Sequence, residues 1–255
     1  MHASYLLRMI PIAALCIGFA GTAVAQAPDT AKPKGHYATL DALPDWGGVW
    51  SLKRNPPGTV AEQPELVGEY LLDYQEWQRL VREHEGNAPR RGSNCRPPGM
   101  PGMMGTAQYP IEFLFTPGRV TILFEAWMQW RKIWTDGRPH PDDLETGFFG
   151  HSVGRWQGDT LVIDTVGIKD TVDLGMGMRH SDQLRINERI YLAPDRPDTL
   201  VVEMVVTDAV ALAKPWHRRF EYGRVRDGEL YEFVCAENDL NPLDEHGYTE
   251  QIISE

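Results

Sequence analysis

The stretch that decides the fold is residues 150–165, with the sequence GHSVGRWQGDTLVIDT. The Gln-Gly-Asp at 157–159 predicts a tight turn, because glycine adopts positive φ at no steric cost and aspartate tolerates it. The residues on either side, 151–156 and 160–166, favour strands, since the β-branched side chains among them suit a pleated surface. The stretch therefore predicts two strands that meet at a turn.

The segment just upstream, residues 134–141, reads WTDGRPHP. Its Asp136-Gly137 dipeptide predicts a second turn. Pro139 and Pro141 flank His140, and the residue before a proline is driven towards extended backbone. The segment therefore places an imidazole in a non-helical stretch beside the predicted turn.

Further out, the chain from residue 111 alternates short β-type segments with turn signals such as Pro117-Gly118 and Asp227-Gly228. The other predicted strands are residues 45–52, 111–116, 119–127, 130–135, 184–192, 199–207, 216–225 and 230–235. A meander of about ten antiparallel strands closes naturally into an up-and-down barrel, because closure removes exposed strand edges. A two-sheet sandwich is the alternative.

One helix is predicted, over residues 64–85, with a proline in its first turn and Gly86 after its end. Its apolar residues recur at spacings of three and four, as on one face of a helix. They are Leu66, Val67, Tyr70, Leu71, Tyr74, Trp77, Leu80 and Val81. This stripe predicts a helix packed on a sheet or a barrel mouth; lining a ligand pocket is the alternative.

The N-terminus predicts export. Arg8 precedes an apolar run, residues 9–20, and Ala23-Val24-Ala25 has the small-x-small form read by signal peptidase. We therefore expect a signal peptide over 1–25, with a signal anchor as the alternative, and a periplasmic or secreted protein. A flexible linker over 26–43, a barrel domain over 44–236 and an acidic tail over 237–255 would follow.

The charge balance limits the partners. The formal net charge is −11 at pH 7, which argues against nucleic acid and against anionic membranes. No apolar run after the signal approaches the roughly 18 residues of a membrane span, so we expect no membrane insertion after cleavage. A small hydrophobic or aromatic molecule is the expected partner, and the sequence carries no signal for an oligomeric state.

The cysteines predict a disulfide. Cys16 would leave with the signal peptide, so that Cys95 and Cys235 remain in an oxidising compartment. The alternative is two unpaired thiols.

The alternation of side chains along two predicted strands indicates buried acidic residues. Leu184, Ile186 and Ile190 share one face of their strand with Glu188, so this carboxylate is predicted to point into the barrel. Glu203 shares a face with two valines and is predicted to do the same.

Two arginines are the expected partners of these acids. Arg131 shares a face with Ile133, and Arg155 with Val153 and His151. A buried ion must be paired or must neutralise, so Arg131 or Arg155 would pair with Glu188 or Glu203 inside the barrel. Such a pair requires no catalysis, which makes a purely structural role the alternative.

The histidines suggest chemistry. His140, His151 and His180 all fall at strand ends or in loops, where barrel mouths gather polar groups around an apolar cavity. His151, with Glu188, His180 and either His140 or Asp136, would suit acid–base catalysis of the isomerase, lyase or hydrolase type. Arg155 or Arg131 would stabilise a developing enolate or carboxylate. A structural, hydrogen-bonded histidine is the alternative in each case.

A carrier without chemistry is the second functional hypothesis. Trp127, Trp130 and Trp134, with Met103 and Met104 of a Pro/Gly/Met-rich loop, would receive an apolar ligand, as methionine is flexible and soft. Arg131 would contact the ligand.

Other chemistries have weaker support. No His-x-His or His-Glu-x-x-His spacing is present, so no cofactor is predicted, and Zn or Fe held by histidines is the minority alternative. Residues 150–154 match Gly-x-Ser-x-Gly, but a nucleophile elbow needs a helix after the serine, and a strand is predicted there.

Several motifs together resemble a family of secreted bacterial proteins to which no activity is attached. They are residues 45–50, 135–141 and 150–165, and Asn187-Glu188-Arg189. The pattern GHSxGxWxGDTLVxDT is specific to that family, and the resemblance covers nearly the whole mature chain. Gly48-Val49-Trp50 is similar to the opening strand of lipocalin-like barrels. The resemblance implies a calycin-type barrel and transfers no catalytic residue.

Overall fold

The structure is a computed structural model. It describes residues 37–55, 61–86, 95–106, 108–175, 177–235, 244–246 and 248. The predicted signal peptide lies outside these residues, as do most of the predicted linker and most of the acidic tail. No helix of the described residues is long and apolar enough to span a membrane.

Within the part of the chain that the structure describes, nine strands form a closed barrel in chain order, and the last pairs with the first. They are β1 (Val49–Leu52), β2 (Ile111–Thr116), β3 (Arg119–Phe124), β4 (Gln129–Trp134), β5 (His151–Gln157), β6 (Thr160–Val166), β7 (Arg185–Ala193), β8 (Arg196–Thr207) and β9 (Trp216–Val225). The predicted mainly β barrel is confirmed, but with nine strands. The tenth predicted strand, residues 230–235, is irregular: β9 already pairs with β1, so the barrel offers no free edge.

The barrel is not wholly antiparallel. β4 and β5 run parallel, pairing Ile133 with Ser152 and Trp134 with Val153, whereas the other eight neighbouring pairs are antiparallel. Parallel neighbours need a long crossover connection rather than a hairpin. Residues 135–150 supply it and carry the TDGRPHP motif. The expected up-and-down order therefore fails at this one junction.

The helix, α1 (Gly68–Glu83), begins four residues later than the pattern predicts, and none of its residues is buried. Leu66, just before it, forms a β-bridge with Leu212, which keeps the preceding segment extended. Tyr70 and Tyr74 pack against the core. The helix thus lies on the outside of the barrel, as the apolar stripe predicts. Three short 3-10 helices, Tyr37–Ala42, Gly102–Gly105 and Ala126–Met128, complete the described helical elements.

The interior is packed. Five of the inward-facing residues are 0% exposed: Trp50, Ile122, Ile133, Leu161 and Ile190. A side chain without accessible surface adjoins no space that admits water, and protein interiors pack at crystal-like density. The hollow lumen that the sequence suggested is therefore not found around these residues.

The predicted disulfide is confirmed. Cys95 and Cys235 are bonded, with their Cα atoms 5.4 Å apart and 140 residues between them in the sequence. The bond joins the methionine-rich loop to the irregular segment after β9.

Candidate functional site

The wall formed by β5, β6 and β7 carries polar groups on both of its surfaces. Successive side chains of a strand point to opposite faces. On each of the three strands, one pair of consecutive residues therefore places one polar side chain on the inner surface and one on the outer surface. Ser152, Thr165 and Glu188 point inward and are buried. Their chain neighbours His151, Asp164 and Asn187 point outward.

The inner residues surround the Arg131 guanidinium of β4. Arg131 Nε donates to Ser152 Oγ at 3.2 Å, and one terminal nitrogen donates to Thr165 Oγ1 at 2.8 Å. The guanidinium also donates to both oxygens of Glu188, at 3.0 Å to Oε1. The two charged side chains are 1% and 0% exposed. The predicted Arg131–Glu188 pair is confirmed, and its groups lie out of reach of a substrate.

Ser152 takes part in the same closed network. Its hydroxyl lies 2.8 Å from that of Thr165, and the side chain is buried inside a strand. The Gly-x-Ser-x-Gly match therefore forms no nucleophile elbow. The first glycine, Gly150, has φ +61°, and a Cβ there would lie 2.4 Å from the Val166 carbonyl oxygen. The last, Gly154, lets β5 approach β4, since a Cβ would lie 2.8 Å from Ile133 Cγ2.

The outer residues form a chain of two imidazoles and a carboxylate. His140 Nε2 lies 3.1 Å from Asp164 Oδ2, and His140 Nδ1 lies 2.8 Å from His151 Nδ1. Asp164 also accepts from Arg185 Nε at 2.6 Å and from Asn187 Nδ2 at 3.0 Å. The side chains of His140 and Asp164 are each 20% exposed, so the chain lies partly shielded at the surface.

The crossover loop holds His140 in place. Asp136 accepts from Arg138 Nε at 2.9 Å and from the Arg138 backbone N–H at 3.3 Å. The Arg138 guanidinium lies 3.8 Å from the centre of the Trp134 ring, which anchors the loop on the end of β4. Asp136, predicted as a catalytic alternative, is thus engaged in shaping the loop and does not contact the imidazoles.

The environment shifts the pKa of two members of the chain. Burial raises the pKa of Asp164, but the hydrogen bonds and charges of Arg185 and His140 outweigh it and hold the pKa below its usual value. Burial lowers the pKa of His151, and the nearby charges of His140 and Arg138 lower it further. A neutral His151 beside an ionised Asp164 is therefore the favoured state at neutral pH.

A groove of about 590 Å³ runs over the outer surface of β5 to β9, and Asp164 is the member of the chain that lines it; His140 and His151 are not in its lining. Val162 and Val205 contribute apolar surface to it, and Asp164, Arg155 and His217 contribute polar groups. Arg155 was expected inside the barrel. It is exposed, because β5 turns Ser152 and Trp156 inward instead.

Two further predicted groups lie elsewhere. His180 is buried, with Nδ1 2.7 Å from the Ser181 carbonyl oxygen and Nε2 3.0 Å from that of Lys169. Both ring nitrogens are engaged by the backbone, so His180 does not join His151. Glu203, expected inside, lies outside and pairs with Arg219 at 2.9 Å. The residues on both faces of β8 near Glu203 are apolar, so the alternation of side chains could not predict whether Glu203 points inward or outward.

The residues predicted to receive an apolar ligand do not form one pocket. Met103 and Met104 are buried in the core. Trp127 contacts Tyr109 and Phe233. Trp130 is 53% exposed beside Lys132, and Trp134 packs under Arg138.

Sequence reasoning missed Asp164, Arg185 and Asn187. Asp164 interrupts an alternating apolar strand, and Asn187 stands directly opposite it in the ladder. The pairing of Asp164 with Asn187 was the signal that could have identified this cluster, but recognising it requires the strand register, which the sequence alone does not provide.

Metal binding has limited support in this cluster. Both nitrogens of His140 face protein partners, so that His151 Nε2 is the imidazole nitrogen of the cluster without a hydrogen bond to any described residue. Across the described ranges, no group of three His, Cys, Asp or Glu side chains suits a metal ion.

No model of a protein family matches the chain, and no curated protein matches it.

Proposed function

We propose that the protein is an exported enzyme that performs acid–base chemistry on a small hydrophobic or aromatic substrate. The reaction would be of the isomerase, lyase or hydrolase type. His151 is the proposed catalytic residue, and His140 and Asp164 are positioning residues. The observation that carries this proposal is the unbroken Asp164–His140–His151 chain.

The chain fixes which nitrogen of His151 is basic. When both imidazoles are neutral, His140 donates its Nε2 proton to the Asp164 carboxylate, so its Nδ1 carries a lone pair. That lone pair accepts the Nδ1 proton of His151, which leaves His151 Nε2 unprotonated. A carboxylate that orients an imidazole in this way also stabilises the cation formed when the base takes a proton.

The proposed substrate lies on the outside of the barrel. The groove has Asp164 in its lining, next to the two imidazoles in the chain, and apolar surface from Val162 and Val205 for a hydrophobic body. Arg155 on its wall is available for a developing negative charge. This position replaces the barrel lumen, whose side chains are close-packed.

Export is part of the proposal. The Cys95–Cys235 bond supports it, because disulfides persist in oxidising compartments such as the periplasm.

The test is a substrate screen with matched variants. Purified protein is incubated with small-molecule extracts, and the products are followed by mass spectrometry. His151→Gln should lower turnover by about 10²–10⁴-fold, the usual contribution of a general base. His246→Gln, an exposed histidine of the tail, is the control and should retain full activity.

Two outcomes would contradict the proposal. Full activity of His151→Gln on an identified substrate would remove the catalytic role. A compound that copurifies and is released unchanged, with no turnover, would support the carrier hypothesis instead.

A further inference from the structure

A second pocket, separate from the imidazole chain, lies along β9. It has a volume of about 780 Å³. Leu52 and Phe220 contribute apolar surface, and Lys53, Arg54 and Arg218 contribute positive charge. The protein as a whole is acidic, with a formal net charge of −11. A cluster of cations is therefore a local exception.

Arg218 is the notable member of this pocket. Its guanidinium lies 4.8 Å from the Trp216 ring centre and 4.6 Å from that of Phe220, and it donates one hydrogen bond, at 3.3 Å, to the Pro101 carbonyl oxygen. Burial lowers the pKa of Arg218 to about 10. No carboxylate of the described residues forms an ion pair with it, and a half-buried cation is costly without one.

Arg224, on the same strand, is an arginine whose charge is paired with carboxylates. It also lies over an aromatic ring, with 4.6 Å to the centre of the Trp50 ring. Two carboxylates, Asp45 and Asp198, each approach it at 3.1 Å. Arg224 thus has two carboxylate partners, whereas Arg218 has none among the described residues.

The carboxylates nearest to the pocket do not supply that anion. Glu221 is held by Arg196 and Arg219, both at 2.8 Å. Glu62 lines the pocket, but it contacts Trp216 through its backbone oxygen, at 2.8 Å from the indole nitrogen. Lys53 donates to the neutral Thr199 hydroxyl at 2.7 Å, and no carboxylate of the described residues forms an ion pair with it.

The pocket is the space from which a ligand group would reach the guanidinium, since Arg218 and Phe220 are both in its lining. Gly105 packs closely against them: a Cβ at that position would lie 3.1 Å from an Arg218 terminal nitrogen and 3.1 Å from the Phe220 ring, which is tighter than ordinary contact. The glycine thus lets the loop backbone approach the cation and the ring on that side.

We propose that this pocket binds a small organic carboxylate, with the carboxylate on Arg218 and a flat apolar body against Phe220. A planar guanidinium matches a carboxylate through two parallel hydrogen bonds, and the Phe220 ring in the lining favours a flat ligand. The pocket shares His217, Arg218 and Arg219 with the lining of the groove on β5 to β9, but Asp164, His140 and His151 do not line the pocket.

The test uses benzoate, benzamide and inorganic phosphate as probes on the full-length ¹⁵N-labelled protein. Benzoate should shift the Arg218 Nε–H resonance and bind at least about tenfold more tightly than neutral benzamide, because a charge-assisted bond is lost. Arg218→Gln should weaken benzoate binding by about tenfold or more. Arg82→Gln, on the exposed face of α1, and His151→Gln should bind benzoate like the wild type.

Several results would overturn the proposal. They are equal affinity for benzoate and benzamide, no shift of the Arg218 resonance, or tighter binding of phosphate than of benzoate. Arg218→Lys retains the charge but not the fork and should give an intermediate affinity. If Arg218→Gln does not fold, the proposal is tested on the wild type alone, by the shift of the Arg218 Nε–H resonance and by the ratio of its affinities for benzoate and benzamide.

Discussion

The inner and outer surfaces of the β5–β6–β7 wall are built from adjacent residues but have opposite properties. Inside, the Arg131 guanidinium meets Glu188, Ser152 and Thr165 with both charges sealed from water. Outside, Asp164 and two imidazoles form a hydrogen-bonded chain, at whose end His151 Nε2 has no hydrogen-bond partner among the described residues. A closed network holds the fold, whereas an open-ended chain can transfer a proton. Polarity of the residues alone does not distinguish the two.

The largest expected effect is on the inner surface. Glu188→Ala leaves the Arg131 charge buried without a partner, which should lower the free energy of unfolding by about 3–5 kcal/mol. Urea denaturation measures this. The double variant Arg131→Met, Glu188→Leu should recover much of the loss, because replacing both ions with apolar groups is often close to neutral. A loss under about 1 kcal/mol for Glu188→Ala would mean that the pair is not sealed.

A smaller inner change tests the hydrogen bonds around the pair. Thr165→Val keeps the shape of the side chain but removes the hydroxyl that accepts from Arg131 at 2.8 Å. We expect a loss of about 1–3 kcal/mol, the cost of an unsatisfied buried donor. Thr160→Val, on the outer face of the same strand, is the matched control and should be nearly neutral in the same denaturation experiment.

On the outer surface, stability should change little while activity changes greatly. Asp164→Asn removes a partly shielded carboxylate whose ion pair with Arg185 is open to solvent, so we expect a loss of about 0.5–1 kcal/mol. Turnover should nevertheless fall by about 10²-fold or more, because the amide no longer fixes the imidazole tautomer. Denaturation and rate measurements on the same preparation compare the two. A stability loss as large as that of Glu188→Ala would make the outer chain structural.

The smallest expected effect is a pH dependence. The pKa of His151 is lowered in the folded protein, so the unfolded chain binds its proton more tightly. The contribution of His151 to stability is therefore complete above the unfolded pKa of about 6.5 and is lost as the pH falls below it towards the folded pKa. Unfolding free energies followed across this window should rise less steeply with pH in His151→Gln than in the wild type. Identical slopes would contradict the assigned shift.

How far the sequence predicts this site depends on strand patterning. Glu188 shares its face with Leu184, Ile186 and Ile190, so its inward direction was predictable, but the sequence left open whether Arg131 or Arg155 would be its partner. On β5 each face mixes one apolar residue with polar or small ones, so the side on which His151 and Arg155 lie was not decided. The cysteine pair was predictable because two cysteines remained after the expected signal peptide.

The contact between His140 and His151 depends on a feature that local patterns do not encode. Turn residues at 136–137 are compatible with a hairpin or with a crossover, and only the pairing of β4 with β5 distinguishes the two. Because that pairing is parallel, residues 135–150 form a crossover in which His140 meets Asp164 on β6. The partner of His140 was therefore inaccessible to strand-by-strand reasoning.

The most direct test of the central claim is the tautomeric state of the two imidazoles, read by long-range ¹H–¹⁵N NMR above the ordinary imidazole pKa of about 6.5. We predict a proton on Nε2 of His140 and on Nδ1 of His151, with His151 Nε2 unprotonated, and loss of this pattern in Asp164→Asn. A proton on His151 Nε2 under these conditions would contradict the account, because no basic nitrogen would remain at the end of the chain.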